Sequence, residues 1–469
     1  MQNTKLYLLL QSFSPQEIQR FQLYLQSPFF NTDTSLFNLF EIIRPYLHSR
    51  NYEIPEAEII WIKLSGNKKY NNLQFNKHCS YLYQYAVDFI SLHQLKNKTN
   101  ALPLQYLQIL NQRRLTDLFS FHADRLKPLL TAKNEDLDLL FVERFSFHQQ
   151  INLHQEILQS RQQQLNTADV LHSLEEFYMY EKLKYWSAAN HYKNLFDEPV
   201  TIQWEEFLMK WINETSIKNE WIEIYRQILL MQLNNDTQPH YEWLKRILFK
   251  PKNNLNKITQ KEILLFLINY CIAQINSSNT KYYEELFQIY KLALKQQLLI
   301  QKKVMSPWDF KNIISVALQL QEIKWTEKFI KTYSLLLPKD ELNNAYNYNL
   351  AKVFFIQKKY KESLQLLQQV AYTDLFYQLD IKVMQAKTMY ELNEWDTLDD
   401  LLISLKKMLT RKRKLSAHYQ NIYRKFTIYF QPLLKSISKK EASAIIKKLE
   451  LDTQVPDKNW LMEKLNSLQ

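Results

Sequence analysis

His172 and Glu176 stand one helical turn apart with Glu175 beside them, the His–carboxylate spacing in this sequence that could put two ligands or an acid–base pair on one face. A metal site needs a third converging ligand, and nothing in the sequence supplies one, so an ordinary helix-surface pair is the heavier reading. His148 and His154 are six residues apart and do not share a helical face. His78 precedes Cys79 directly, but neighbours on a helix point apart, which argues against a nucleophile–base pair. Cys79 and Cys271 lie far apart in apolar helical contexts and read as buried free thiols in a reducing compartment. The chain holds a single glycine, Gly66, where ordinary usage would give about thirty. Phosphate-cradling loops, dinucleotide fingerprints and nucleophile elbows all need glycine for positive φ or close backbone approach, so none can be built. No enzyme activity and no cofactor are expected.

Cations are the other chemistry on offer. The formal net charge is +12, and from residue 401 to the end fifteen Lys and Arg face five Asp and Glu, so ten of those twelve charges sit in the C-terminal tail. Lys406, Lys407, Arg411, Lys412, Arg413 and Lys414, with Arg424 and Lys425 one helix further and Tyr419, Tyr423 and Phe426 between, form a cluster that could hold a nucleic-acid backbone and stack bases. Against this, cations near a helix C-terminus offset its dipole, and charge runs between helices are usually solvated. Nucleic acid is therefore the alternative partner.

The elements that must position such residues read as helices throughout. Ser14-Pro15-Gln16-Glu17 is a capping box with proline in the first turn, and Ile18, Phe21 and Leu25 follow on one face until Ser27-Pro28 ends the helix. Further helices are expected over 36–47, 55–64 and 73–95, with a turn at Gly66. Another stretch runs over 103–164, broken near Pro128 and restarted at Asn134-Glu135-Asp136. Thr167 opens a long helix toward Phe196, stopped by Pro199. Thr259-Gln260-Lys261-Glu262 and Ser306-Pro307-Trp308-Asp309 repeat the capping logic. No stretch of useful length alternates as a half-buried strand, and the fold class is all-α. The expected organisation is an N-terminal helical region over 1–165, a middle region over 166–255, repeats over 256–412 and a helical cap over 413–469. No run approaches the ~20 apolar residues of a membrane-spanning helix, and Leu6 to Leu10 is too short for a secretory signal, so a cytoplasmic protein is expected.

Trp325, Tyr360 and Trp395 fall at equal intervals of 35 residues, as do Ala351 and Ala386, and Ser363 and Leu398. A small residue on a first helix, an aromatic opening a second and an apolar position one turn later, at this period, make a helix-turn-helix solenoid of antiparallel pairs. Asn349-Leu350-Ala351, Phe354, Tyr360-Lys361-Glu362-Ser363, Leu367, Gln385-Ala386, Trp395, Leu398 and Leu402 resemble tetratricopeptide repeats over roughly residues 260–410. Ser363 and Leu398 stand where that family usually has Ala, and Lys358 and Asn393 occupy turns where it has Gly. With Ser12-Phe13-Ser14-Pro15, Ser27-Pro28-Phe29-Phe30-Asn31 and Ser306-Pro307-Trp308-Asp309-Phe310, the whole chain is similar to bacterial helical-repeat proteins of uncharacterised activity. The tetratricopeptide likeness implies a protein-interaction scaffold whose first helices line a concave groove. Tyr348, Asn349, Lys352 and Phe355 would face it from one unit, Lys387 and Tyr390 from the next. Lys352 and Lys387, one period apart, would stack into a positive strip able to hold an acidic or C-terminal peptide of a partner protein by charge-assisted hydrogen bonds. The other placement leaves both lysines solvated and packs Tyr348 and Phe355 between helices.

Overall fold

The computed structural model describes residues 2, 4–48, 53–66, 68–131, 137–158, 165–196, 201–214, 219–234, 236–250, 255–277, 279–371, 374–411, 417–435, 438–452 and 455–468. The chain divides into two compact units, Met1–Tyr178 and Met179–Gln469.

The first unit holds α1 (Lys5–Gln11), α2 (Pro15–Gln26), α3 (Thr34–Ile43), α4 (Ala57–Ser65), α5 (Asn72–Lys98), α6 (Ala101–Gln112), α7 (Thr116–Thr131), α8 (Leu137–Leu158) and the start of α9 (Thr167–Phe196). The expected capping box opens α2: Glu17 N–H donates to Ser14 Oγ, and Ser14 N–H donates to the Glu17 carboxylate at 2.7 Å. The helix thereby points Phe21 inward, where it meets Phe13, Phe40 and Phe89 at centroid separations of 5.1–5.7 Å. Each such ring pair adds about 0.5–1.5 kcal/mol beyond its buried area. Around α5, helices α1, α2 and α3 close one core, while α6, α7 and α8 close a second around Leu107, Leu110 and Phe119.

Pro128 lies in the last turn of α7, which ends at Thr131 before α8 starts at Leu137, so the interruption expected near this proline falls just after it. A further break that the sequence reading did not mark falls at residues 113–115, where Arg114 is left-handed at φ 55° and Leu115 N–H reaches back to Leu110 O. The last turn of α7 is tied to α8 by Arg144 Nε, which donates to Leu130 O at 2.8 Å. The restart expected at Asn134-Glu135-Asp136 lies outside the described residues, as does Pro199.

The second unit continues with α10 (Glu205–Glu214), α11 (Glu220–Leu233), α12 (Gln238–Phe249), α13 (Lys257–Asn276), α14 (Tyr282–Lys295), α15 (Pro307–Gln319), α16 (Ile323–Tyr333), α17 (Leu342–Ile356), α18 (Tyr360–Gln368), α19 (Leu375–Leu392), α20 (Trp395–Arg411), α21 (Ala417–Phe430), α22 (Lys439–Leu451) and α23 (Lys458–Asn466). From α13 to α20 each helix packs on the next, and α17 also packs on the first helices before and after it, α15 and α19. Among the described residues the fold is all-α apart from one hairpin of two-residue strands, β1 (Ile300–Gln301) with β2 (Val304–Met305), turned by Lys302 and Lys303 in left-handed conformation.

The helix pairs repeat in detail. Ala351 and Ala386 are fully buried on first helices, and Ser363 and Leu398 on second helices. Ser363 fits among helices because its hydroxyl donates to Ala351 O at 2.9 Å. Phe355 meets Tyr360 at 5.3 Å, and one period later Tyr390 meets Trp395 at 5.4 Å. Trp325 is not the equivalent of Tyr360. The equivalent of buried Ser363 and Leu398 is buried Thr326, so the first interval is 37 residues and Ile323 takes the opening position. Trp325 instead packs against Phe287 of α14 and Phe329 of its own helix.

The turns explain how a chain with one glycine makes these pairs. Three first helices end alike, with Gln321, Lys358 and Asn393 left-handed at φ near 60° and the following N–H reaching five residues back, to Ala317, Phe354 and Met389. That geometry normally selects glycine, because a Cβ in the left-handed region costs about 1–2 kcal/mol. Lys358→Gly is therefore expected to stabilise the unit by about 0.5–1 kcal/mol in urea unfolding, and Asn393→Gly by less, since Asn tolerates this region better. The capping box expected at Thr259 is displaced: Asn256 caps α13 by accepting from Thr259 N–H at 2.8 Å, and Glu262 accepts from the Tyr225 hydroxyl. Ser306 does cap α15, accepting from Trp308 N–H.

Candidate functional site

The first-helix face of α15, α17 and α19 gathers charges that a helical core would normally exclude. Lys311 of α15 bridges to Asp380 of α19, with its ammonium over the Trp308 and Tyr377 rings at 4.5 and 4.8 Å. Asp380 also accepts from the Tyr423 hydroxyl at 2.6 Å, which ties α21 to the pair. Tyr377 donates to Pro307 O at 2.8 Å and locks α19 against the start of α15.

Lys352 lies between this pair and the next. Its Nζ sits 4.8 Å from the Tyr348 ring centroid and donates to Ser315 Oγ at 2.9 Å, and it makes no ion pair among the described residues. Burial, reinforced by the nearby charge of Lys311 and opposed by the more distant Asp380 and Asp457, holds its ammonium down to about 8. One period on, Lys387 is 5% exposed and rests over Phe355 at 4.6 Å and Trp460 at 5.7 Å. Its partner is Asp457, at 2.5 Å, from the turn before α23. The same helix is pinned at its other side: Trp460 Nε1 donates to Glu391 at 2.8 Å, and Lys464 pairs with Glu391 at 2.8 Å.

Of the residues expected in a groove, Tyr348 and Phe355 serve as platforms for Lys352 and Lys387. Tyr348 and Phe355 are buried, and Tyr390 is half-buried among the rings of Trp395, Phe430 and Trp460. Asn349 is fully buried, with Nδ2 donating to Ala345 O and Oδ1 without a partner. Lys311, Asp380, Tyr423 and Asp457 escaped the sequence reading. Asp380 and Lys387, two turns apart on one face of α19, were the available signal; the pairings across 69 and 70 residues carried none.

No family model, no curated protein and no solved structure matches the chain.

The basic cluster is less coherent. Lys406, Lys407 and Arg424 are exposed, while Lys425 is engaged with Asp452 at 2.7 Å. Lys412, Arg413 and Lys414 lie outside the described residues, as does the side chain of Arg411. The catalytic candidates are likewise dispersed. His172 is a surface residue 3.9 Å from Glu176, and Glu176 also pairs with Arg144. His154 is buried, stacked on Phe119 at 3.9 Å with Nδ1 bonded to Asn111, and burial lowers its pKa. Burial raises the Cys79 thiol to about 11 and Cys271 to about 12, which suppresses the thiolate. Among the described residues no three of His, Cys, Asp and Glu are grouped to hold a metal ion, and no helix is long and apolar enough to cross a membrane.

Proposed function

We propose that the second unit is a tetratricopeptide-like solenoid that acts as a protein-interaction scaffold, holding an acidic segment of a partner protein on its first-helix face. The observation that carries this reading is Asp457: a carboxylate seated on Lys387 between two aromatic rings, at the same repeat position where Lys352 has no carboxylate of its own. A face that accepts one carboxylate in this way has the chemistry to accept another, because a charge-assisted bond in a partly desolvated setting is roughly twice as strong as a neutral one. The two free thiols support a reducing, cytoplasmic setting.

The test is an affinity pull-down of the tagged full chain from native lysate, divided into nuclease-treated and untreated halves and read by mass spectrometry. A stoichiometric protein partner that survives nuclease is expected. Ribosomal or nucleoid proteins that vanish with nuclease would make the basic C-terminal cluster the working surface and overturn the proposal.

A further inference from the structure

The charges on the first-helix face do not balance. Three lysines on successive first helices, Lys311, Lys352 and Lys387, meet two carboxylates, Asp380 and Asp457: the outer two each hold one directly, and the middle lysine feels both only from a distance. The two carboxylates also differ in origin. Asp380 belongs to α19 and is held by two donors from different helices. Asp457 is a visitor from the turn between α22 and α23, at the N-cap position of α23. An Asp there ordinarily turns its carboxylate onto the first amides of its own helix. Here the residue is left-handed at φ 52°, and its side chain makes no cap hydrogen bond and reaches Lys387 instead. Its side chain is 37% exposed against 7% for Lys387, so the carboxylate comes onto the buried ammonium from the solvent side.

We propose that Lys352 and Lys387 form a two-point receptor for an acidic peptide, and that Asp457 is its built-in competitor, occupying the Lys387 half until a ligand carboxylate displaces it. This rests on the scaffold reading and names the ligand and its regulation. Packed helices lie about 8–10 Å apart, so the two ammonium groups suit carboxylates two or three residues apart on an extended chain, which rises about 3.3 Å per residue. Lys352 takes the first carboxylate beside Ser315 and over Tyr348. Lys387 takes the second between Phe355 and Trp460.

The experiment is calorimetric titration of the full-length protein with an acetylated, amidated hexaglutamate, with hexaglutamine as the neutral control. Wild type should bind hexaglutamate and not hexaglutamine. Asp457→Asn, which keeps the size and removes the competing charge, should bind about five- to tenfold more tightly, and Lys352→Met at least about tenfold more weakly, as expected for one charge-assisted bond gained or lost. Lys406→Gln with Lys407→Gln should leave the affinity unchanged. Equal affinities in wild type, Asp457→Asn and Lys352→Met overturn the proposal, as does a loss confined to the Lys406/Lys407 variant. Should Asp457→Asn fail to fold, Lys352→Met decides alone. A nuclease-resistant partner captured equally well by Lys352→Met would leave the scaffold reading standing and overturn this one.

Discussion

Asp380→Ala is expected to destabilise the second unit by about 3–5 kcal/mol, seen as a lower urea midpoint at unchanged slope for the unfolding of that unit. Asp380 is the counter-charge of Lys311, whose side chain is 12% exposed, and it accepts from the Tyr423 hydroxyl at 2.6 Å. Its removal leaves the Lys311 ammonium without its counter-charge, in a space bounded by Trp308 and Tyr377, and takes one hydrogen bond from Tyr423. Those rings retain part of the ammonium's stabilisation, but a cation–π contact supplies only about 1–2 kcal/mol, less than an unpaired buried charge costs. The double change Lys311→Met with Asp380→Leu should cost much less than Asp380→Ala, because both charges leave together. A single-variant loss under about 1 kcal/mol would mean that Lys311 reaches water without disturbing α15.

What could be read from the sequence was what the repeat imposes locally. Ala351, Ser363, Ala386 and Leu398 sit where first and second helices touch, so their positions recur whatever the ligand. Lys352 and Lys387 were visible for the same reason. Trp325 misled because a large ring two residues from the true repeat position finds an equally good slot against Phe287, and the chain absorbs the offset in the longer connection between α16 and α17. Asn256 was missed because Thr259 and Glu262 offer the same local cap signature three residues later, and burial of Thr259 decides between them. The ion pairs themselves were beyond reach. Whether Lys387 meets solvent, a ligand or Asp457 depends on the C-terminal helices lying back across α19, and a pattern of period 35 ends before those helices begin.

Lys352→Met is expected to stabilise the protein at pH 7 by about 1–2 kcal/mol. Lys352 titrates near 8 in the folded state against an ordinary 10.5, because burial and its lysine neighbours penalise the charged form. At about 1.4 kcal/mol per unit this shift corresponds to roughly 3 kcal/mol, which partial solvent access reduces. The sign follows from proton binding. Between pH 8 and 10.5 the unfolded chain holds a proton at this lysine that the folded chain has released, so wild-type stability rises with pH across that window, and below pH 8 the full penalty applies. Methionine matches the aliphatic stem as far as the ε position, keeps a favourable contact with the Tyr348 ring and carries no charge to desolvate. The difference between variant and wild type should therefore be largest at pH 7 and close as pH approaches 10.5, measured by urea unfolding at both values with the other lysines cancelling in the comparison. A variant less stable than wild type at pH 7 would show that the ammonium supports the fold, and its position would need no ligand to explain it. The expected gain has the opposite meaning: a charge kept on the first-helix face against its own folding cost is what a binding residue looks like, since sites that await a partner are the places where stability is given up for function.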